Sequence, residues 1–267
     1  MDLARQTPRP PTASAPHTRL LCLDVETAPD RARMPAAWGA KFPKPIWHRV
    51  VAISVVEARI EADGDGFERY AVTGCRSGGA PDWDEARLLR GFWGYFAREP
   101  SRVVTWNGRA FDLPVLMQRT MVHGLTARGW HGDGGRHGYT NRYSERWHCD
   151  LMDALSTYGA CARLSLDEAA RALDLPGKIG GHGGDVEAMI LAGEVERVRA
   201  YCEGDVLNLF GLYCRYALLT GRQAPAGHAE ALAGLSAYLA GERAGRPHLG
   251  AFLDAWRPPD AAAGRAG

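Results

Sequence analysis

An excess of charge of either sign is absent from this sequence: 32 Lys and Arg against 31 Asp and Glu leave a formal net charge of +1 over 267 residues. That balance excludes binding through a global positive field, so any polyanion must be held by a local groove. Cysteine is sparse as well. The six present (Cys22, Cys75, Cys149, Cys161, Cys202, Cys214) form no Cys-x-x-Cys pair, which argues against a zinc site or a disulfide framework and for reduced core thiols. No run reaches the ~18 apolar residues of a membrane span. The first eighteen residues, MDLARQTPRPPTASAPHT, lack the apolar stretch of a secretory signal. A cytoplasmic protein with no membrane contact is expected, with a disordered Pro/Ala/Thr tail at 1–18. Repeats are missing too.

What is present begins at RLLCLDVETAPD, residues 19 to 30. In a strand, alternate side chains share a face, so Asp24 and Glu26 project side by side after an apolar run. Two like charges that close need either a cation or a wet loop. Beyond a Pro-rich excursion, RVVAISVVEARI and GFERYAVTG read as two further strands joined by the turn residues EADGDG, giving an antiparallel meander. The pattern then changes. DWDEARLLRGFWGYFAREP has helical spacing with Asp82 or Asp84 as cap, RVVTW is a buried strand, and FDLPVLMQRTMVHGL opens a helix with Pro114 in its first turn. A fifth strand is expected in WHCDLMDAL, where Asp150 and Asp153 end the strand and cap its helix. The remainder reads as helical, including an Ala-rich segment at 224–258 that packs back as one or two helices.

Three acidic clusters stand at the ends of these elements. The first is Asp24-x-Glu26. The second is Asp112, at the start of the helix after the buried strand, where a dipole-stabilised carboxylate is the plain alternative. The third is YCEGDV, in which Tyr201 and Asp205 lie one helical turn apart and Glu203 falls on another, solvated face. Together, Asp24, Glu26, Asp112 and Asp205 suit two hard divalent cations, which need carboxylates from several elements; Tyr201 would position or help deprotonate a water.

At these residues the sequence resembles the DEDD (DnaQ-like) 3'-5' exonuclease superfamily, in its tyrosine-bearing (DEDDy) branch. LDVET is similar to the first motif, NGRAFDLPVL to the second, and YCEGDV to the Tyr-x-x-x-Asp third. The nearest likeness is to bacterial predicted exonucleases similar to the proofreading domain of family B DNA polymerases; DLMDALSTYGA and LDLPGK share in it. The resemblance implies an α/β ribonuclease H-like fold. Its central mixed five-stranded sheet, a meander followed by β-α-β units, is flanked by helices, with an exonuclease domain at 19–221 and a helical extension at 222–267. It further implies that Asp24, Glu26, Asp112 and Asp205 bind two metal ions, Mg2+ or Mn2+, and that single-stranded DNA is cut from its 3' end to nucleoside 5'-monophosphates. Thr27, Asn107 and Phe111 are the implied contacts to the terminal nucleotide, although Phe111 also suits a core position. Arg109 and Lys178 are either phosphate contacts or solvated.

Three rivals stay open: an exoribonuclease or oligonucleotide-trimming enzyme, a non-catalytic nucleic-acid adaptor, and a proofreading or repair subunit whose partner the chain does not identify. The Gly- and His-rich stretch holding His123, His131, His137 and His148 follows no ligand template and is expected to be a mobile, solvated loop.

Overall fold

The computed structural model describes residues 17–39, 41–179 and 183–256. Residues 1–16 of the expected tail and 257–267 of the expected extension lie outside the described residues.

Strands β1 (Arg19–Pro29), β2 (His48–Ala62) and β3 (Glu68–Ser77) form the antiparallel meander. The Asp63 carboxylate closes its second turn, accepting from the amides of Asp65 and Phe67 at 3.0 and 2.9 Å, while Gly66 takes φ 85°. On the other side of β1, β4 (Arg102–Thr105) and then β5 (His148–Asp150) run parallel to it, giving the order β3-β2-β1-β4-β5. This is the mixed ribonuclease H-like sheet expected from the sequence.

Alternation along β1 divides the core in two. Leu21, Leu23 and Val25 pack against α1 (Glu85–Phe96) and α2 (Asp112–Val122), whereas Leu20 and Cys22 face α5 (Leu166–Ala172) and α7 (Val195–Leu219). Helix α1 starts where Asp84 accepts the Arg87 amide at 2.7 Å, and it buries Leu88, Leu89, Phe92, Trp93 and Phe96. Removal of each such side chain from water contributes about 1.5–3 kcal/mol. Between the layers, fully buried Arg102 grips Glu68 through two bonds of 2.5 and 2.8 Å and donates to the Tyr213 hydroxyl at 2.8 Å.

The segment between α2 and β5 is packed rather than loose, contrary to expectation. In it, α3 (Arg128–Gly132) carries Trp130, which stacks on Tyr139 at 4.7 Å, and the Tyr139 hydroxyl donates to the Ser101 carbonyl at 2.7 Å. His148 is buried 2.8 Å from Thr105 Oγ1, and His123 lies 2.8 Å from a Glu85 carboxylate oxygen; only His131 and His137 are exposed. The aromatic anchors outweigh the polar composition.

After β5 come α4 (Leu151–Leu155) and α6 (Val186–Leu191), and α8 (Pro225–Glu242) and α9 (Pro247–Ala255) then return to the sheet. Their return corrects the reading of Glu203 as solvated. Its carboxylate is buried, accepts from the Ser77 amide at 2.8 Å, and meets Arg246 and His248 at the start of α9. Five cysteines are buried as expected, but Cys161 is exposed.

Candidate active site

Pairing between β1 and β4 ends at Cys22 and Val104, and past that point the two strands part. The chain leaves β4 through Asn107, at φ 62°, and Gly108, where a Cβ would come within 2.4 Å of the Thr105 Cβ. Asp150 secures this turn: its two carboxylate oxygens accept from the amides of Asn107 at 3.0 Å and Arg109 at 2.9 Å. As expected, Asp150 ends β5 and caps α4. The turn delivers Asp112 into the opening, where its Oδ1 accepts the Val25 amide at 3.1 Å.

Asp24 and Glu26 share the β1 face that looks onto α7, and a register shift follows between Glu26 and Thr27. From α7, Tyr201 and Asp205 approach together, one turn apart, and Tyr201 helps to hold down the Asp205 carboxyl's pKa. Asp24, Glu26, Asp112 and Asp205 therefore converge from β1, α2 and α7. Burial pushes all of their carboxyls up, and repulsion from neighbouring carboxylates adds to it at Glu26, Asp112 and Asp205, the last reaching about 7. Lys178 is a cation that acts on Asp24, Glu26 and Asp205; its Nζ donates to the Tyr201 hydroxyl at 2.6 Å. Burial first, then the charges of Asp205, Glu26 and Asp24, hold the Tyr201 phenol protonated.

Cys202 is the member that sequence reasoning left in the core. Its Sγ lies 3.3 Å from Asp24 Oδ2, and one ligand atom each of Asp24, Glu26 and Cys202 fall within 4.8 Å of one another. Burial and the neighbouring carboxylates push its thiol up, so it serves as a weak donor to Asp24 rather than as a thiolate ligand. That leaves carboxylate oxygens, a donor set that fits Mg2+ or Mn2+ better than zinc.

The remaining candidates divide. Thr27 sits at the register shift, its Oγ1 2.9 Å from Nδ1 of buried His48, a residue that no motif singles out. The half-buried Phe111 ring lies edge-on to His48 at 5.0 Å. Arg109 points away, toward the carbonyls of Asn141 and His148, and burial lowers its pKa. Asp153 is bound by Arg142 through bonds of 2.8 and 2.7 Å.

The chain is thus an α/β protein with a five-stranded mixed sheet and an acidic cluster where its first strand meets a long helix. Within that class, residues 40–256 match the predicted 3'-5' exonucleases related to the exonuclease domain of PolB, and the chain belongs to this family. The matched segment contains Asp112, Tyr201 and Asp205 and begins after Asp24 and Glu26. No curated protein matches. Among solved structures, the family B DNA polymerase of the archaeon Pyrobaculum calidifontis is similar at 18% identity and a TM-score of 0.49, over 84% of this chain and 29% of that one. Exonuclease I of E. coli in complex with a dA16 oligonucleotide is similar at 13% identity and a TM-score of 0.39, over 85% of this chain and 44% of that one. The chain thus spans less than half the length of either.

Proposed function

We propose that this chain is a metal-dependent 3'-5' exonuclease of the tyrosine-bearing DEDD branch, acting on single-stranded DNA 3' ends and releasing nucleoside 5'-monophosphates. One observation carries the reading: four carboxylates, from Asp24, Glu26, Asp112 and Asp205, interact in a buried cluster in which Lys178 offsets the charge of Asp24, Glu26 and Asp205. Such a cluster costs stability unless further positive charge joins it. Asp24, Glu26 and Asp205 would hold one divalent ion, and Asp24 with Asp112 a second. When bound, the ions polarise the scissile phosphate and offset charge on the attacking and leaving oxygens.

The chain's own groups do the rest. Tyr201, kept protonated by its surroundings, orients the attacking water instead of deprotonating it. Lys178 fixes the phenol and lends positive charge. The Thr27 amide and the Phe111 ring would hold the terminal nucleotide, with Asn107 shaping the wall beside them.

The test is digestion of 3'- and 5'-labelled DNA and RNA single strands with Mg2+ or Mn2+, beside an Asp24→Ala/Glu26→Ala double variant. Stepwise loss from the 3' end of DNA, absent in the variant, is expected. Preference for RNA would move the substrate assignment to the exoribonuclease reading, and binding without cleavage would favour an adaptor.

A further inference from the structure

Residues 31–56 contain five basic residues, Arg31, Arg33, Lys41, Lys44 and Arg49, and no acidic one, in a chain whose overall charge is +1. Within that stretch three large aromatic side chains stay at the surface. Phe42 is 73% exposed, and Trp38 and Trp47 are only half-buried, with rings edge-on at 4.8 Å. Lys44 Nζ stands 5.0 Å from the ring centre of Trp38 and 5.8 Å from that of Trp47, while Lys41 Nζ stands 5.8 Å from that of Trp38. The group is tied down. Trp38 Nε1–H donates to the Phe42 carbonyl at 3.2 Å, and a His48 ring nitrogen lies 3.1 Å from the Pro43 carbonyl.

This wall is continuous with the acidic cluster. The Phe42 ring is 6.0 Å from Phe111 and 4.9 Å from His48, which is bonded to Thr27, the neighbour of Glu26. Exposed aromatics interleaved with lysines suit bases that stack and phosphates that pair. An apolar protein partner would leave the lysines unanswered, and an acidic peptide would leave the rings unfilled.

We infer that Trp38, Phe42 and Trp47, with Lys41 and Lys44, form a stacking and phosphate-binding wall for the nucleotides that precede the 3'-terminal one in a single strand. The inference rests on the proposed nuclease reading and extends it from the terminal nucleotide to the strand behind it. Phe42 is the leading residue, being both the most exposed and the one nearest Phe111. Because base stacking is sequence-tolerant, the wall grips any base composition.

The experiment is fluorescence anisotropy of 5'-labelled oligothymidylate with the full chain, calcium replacing magnesium to halt cleavage. Phe42→Ala is expected to raise Kd by roughly 5- to 150-fold, the range of one lost base stack. Lys41→Ala/Lys44→Ala should make the dependence of log Kd on log salt shallower by about 1 to 1.4, the value of two phosphate contacts on a single strand. All three side chains are exposed, so folding is spared; Leu219→Ala, 73% exposed and on the far end of α7, is the control and binds as wild type. A Phe42→Ala Kd within twofold of wild type, or no wild-type binding, overturns the wall. Cleavage is judged separately: a strand that binds through Phe42 yet is never shortened would overturn the exonuclease reading and leave the wall standing.

Discussion

Replacement of Asp205 by asparagine should make the metal-free protein more stable and inactive at once. Asp205 titrates at about 7 in the folded chain, because burial and the Asp24 charge oppose its ionisation. The unfolded value is about 3.9. A folded pKa raised in this way supports the fold at low pH, and that support is lost as pH rises through 7. At pH 8 the penalty of holding the carboxylate ionised is on the order of 4 kcal/mol. Asp24, Glu26 and Asp112 share the strain, so a realised gain of about 2 kcal/mol is the fairer figure for one neutralised member. For a domain of this size that corresponds to a Tm higher by roughly 4–8 °C. Melts of wild type and Asp205→Asn in EDTA at pH 8 and pH 5.5 supply the assay. The gain should be present at pH 8 and shrink at pH 5.5, where wild-type Asp205 is already protonated. Added Mg2+ should raise the wild-type Tm more than the variant's, and nuclease turnover should fall by at least about 100-fold. An Asp205→Asn protein melting at or below wild type in EDTA at pH 8 would refute the argument, since the cluster would then not be a store of repulsion.

Other consequences can be measured alongside. Asp150→Ala leaves the Asn107 and Arg109 amides without their acceptor and frees the turn that carries Asp112; kcat should drop by about 10- to 100-fold with only modest loss of stability, and Asp150→Asn should recover part of it. Glu68→Gln strands the charge of buried Arg102, and urea denaturation should register a loss of about 3–5 kcal/mol. Burial alone would raise the Glu203 carboxyl, but His248, Arg246 and Ser77 win and depress it. Its contribution is therefore present above the unfolded value of about 4.3 and is lost as pH falls through the folded one. Glu203→Gln should accordingly flatten the fall of Tm between about pH 5 and 3, and an unchanged acid limb would argue against the bond network.

Much of this site was legible because its members sit at element ends with distinct periodicities. The apolar run before Asp24, the buried strand before Asp112 and the four-residue spacing of Tyr201 and Asp205 each follow from local chain geometry. What escaped depends on contacts between distant segments. Glu203 reads as solvated until Arg246 and His248 arrive from α9, forty-odd residues on. The histidine-rich stretch reads as loose until Trp130 finds Tyr139. Cys202 follows Tyr201 in sequence and looks like filler, yet its sulfur meets Asp24 across the domain, and His48 gives no local sign of its bond to Thr27.

That sulfur-to-carboxylate contact joins residues 178 positions apart. A centre assembled across such a span does not exist in any nascent or clipped fragment that lacks α7. Under the proposed nuclease reading, the acidic centre is incomplete as the chain emerges from synthesis, and cutting waits until the long helix docks on the first strand. On that reading activity is a readout of completed folding, and loosening of α7 takes it away.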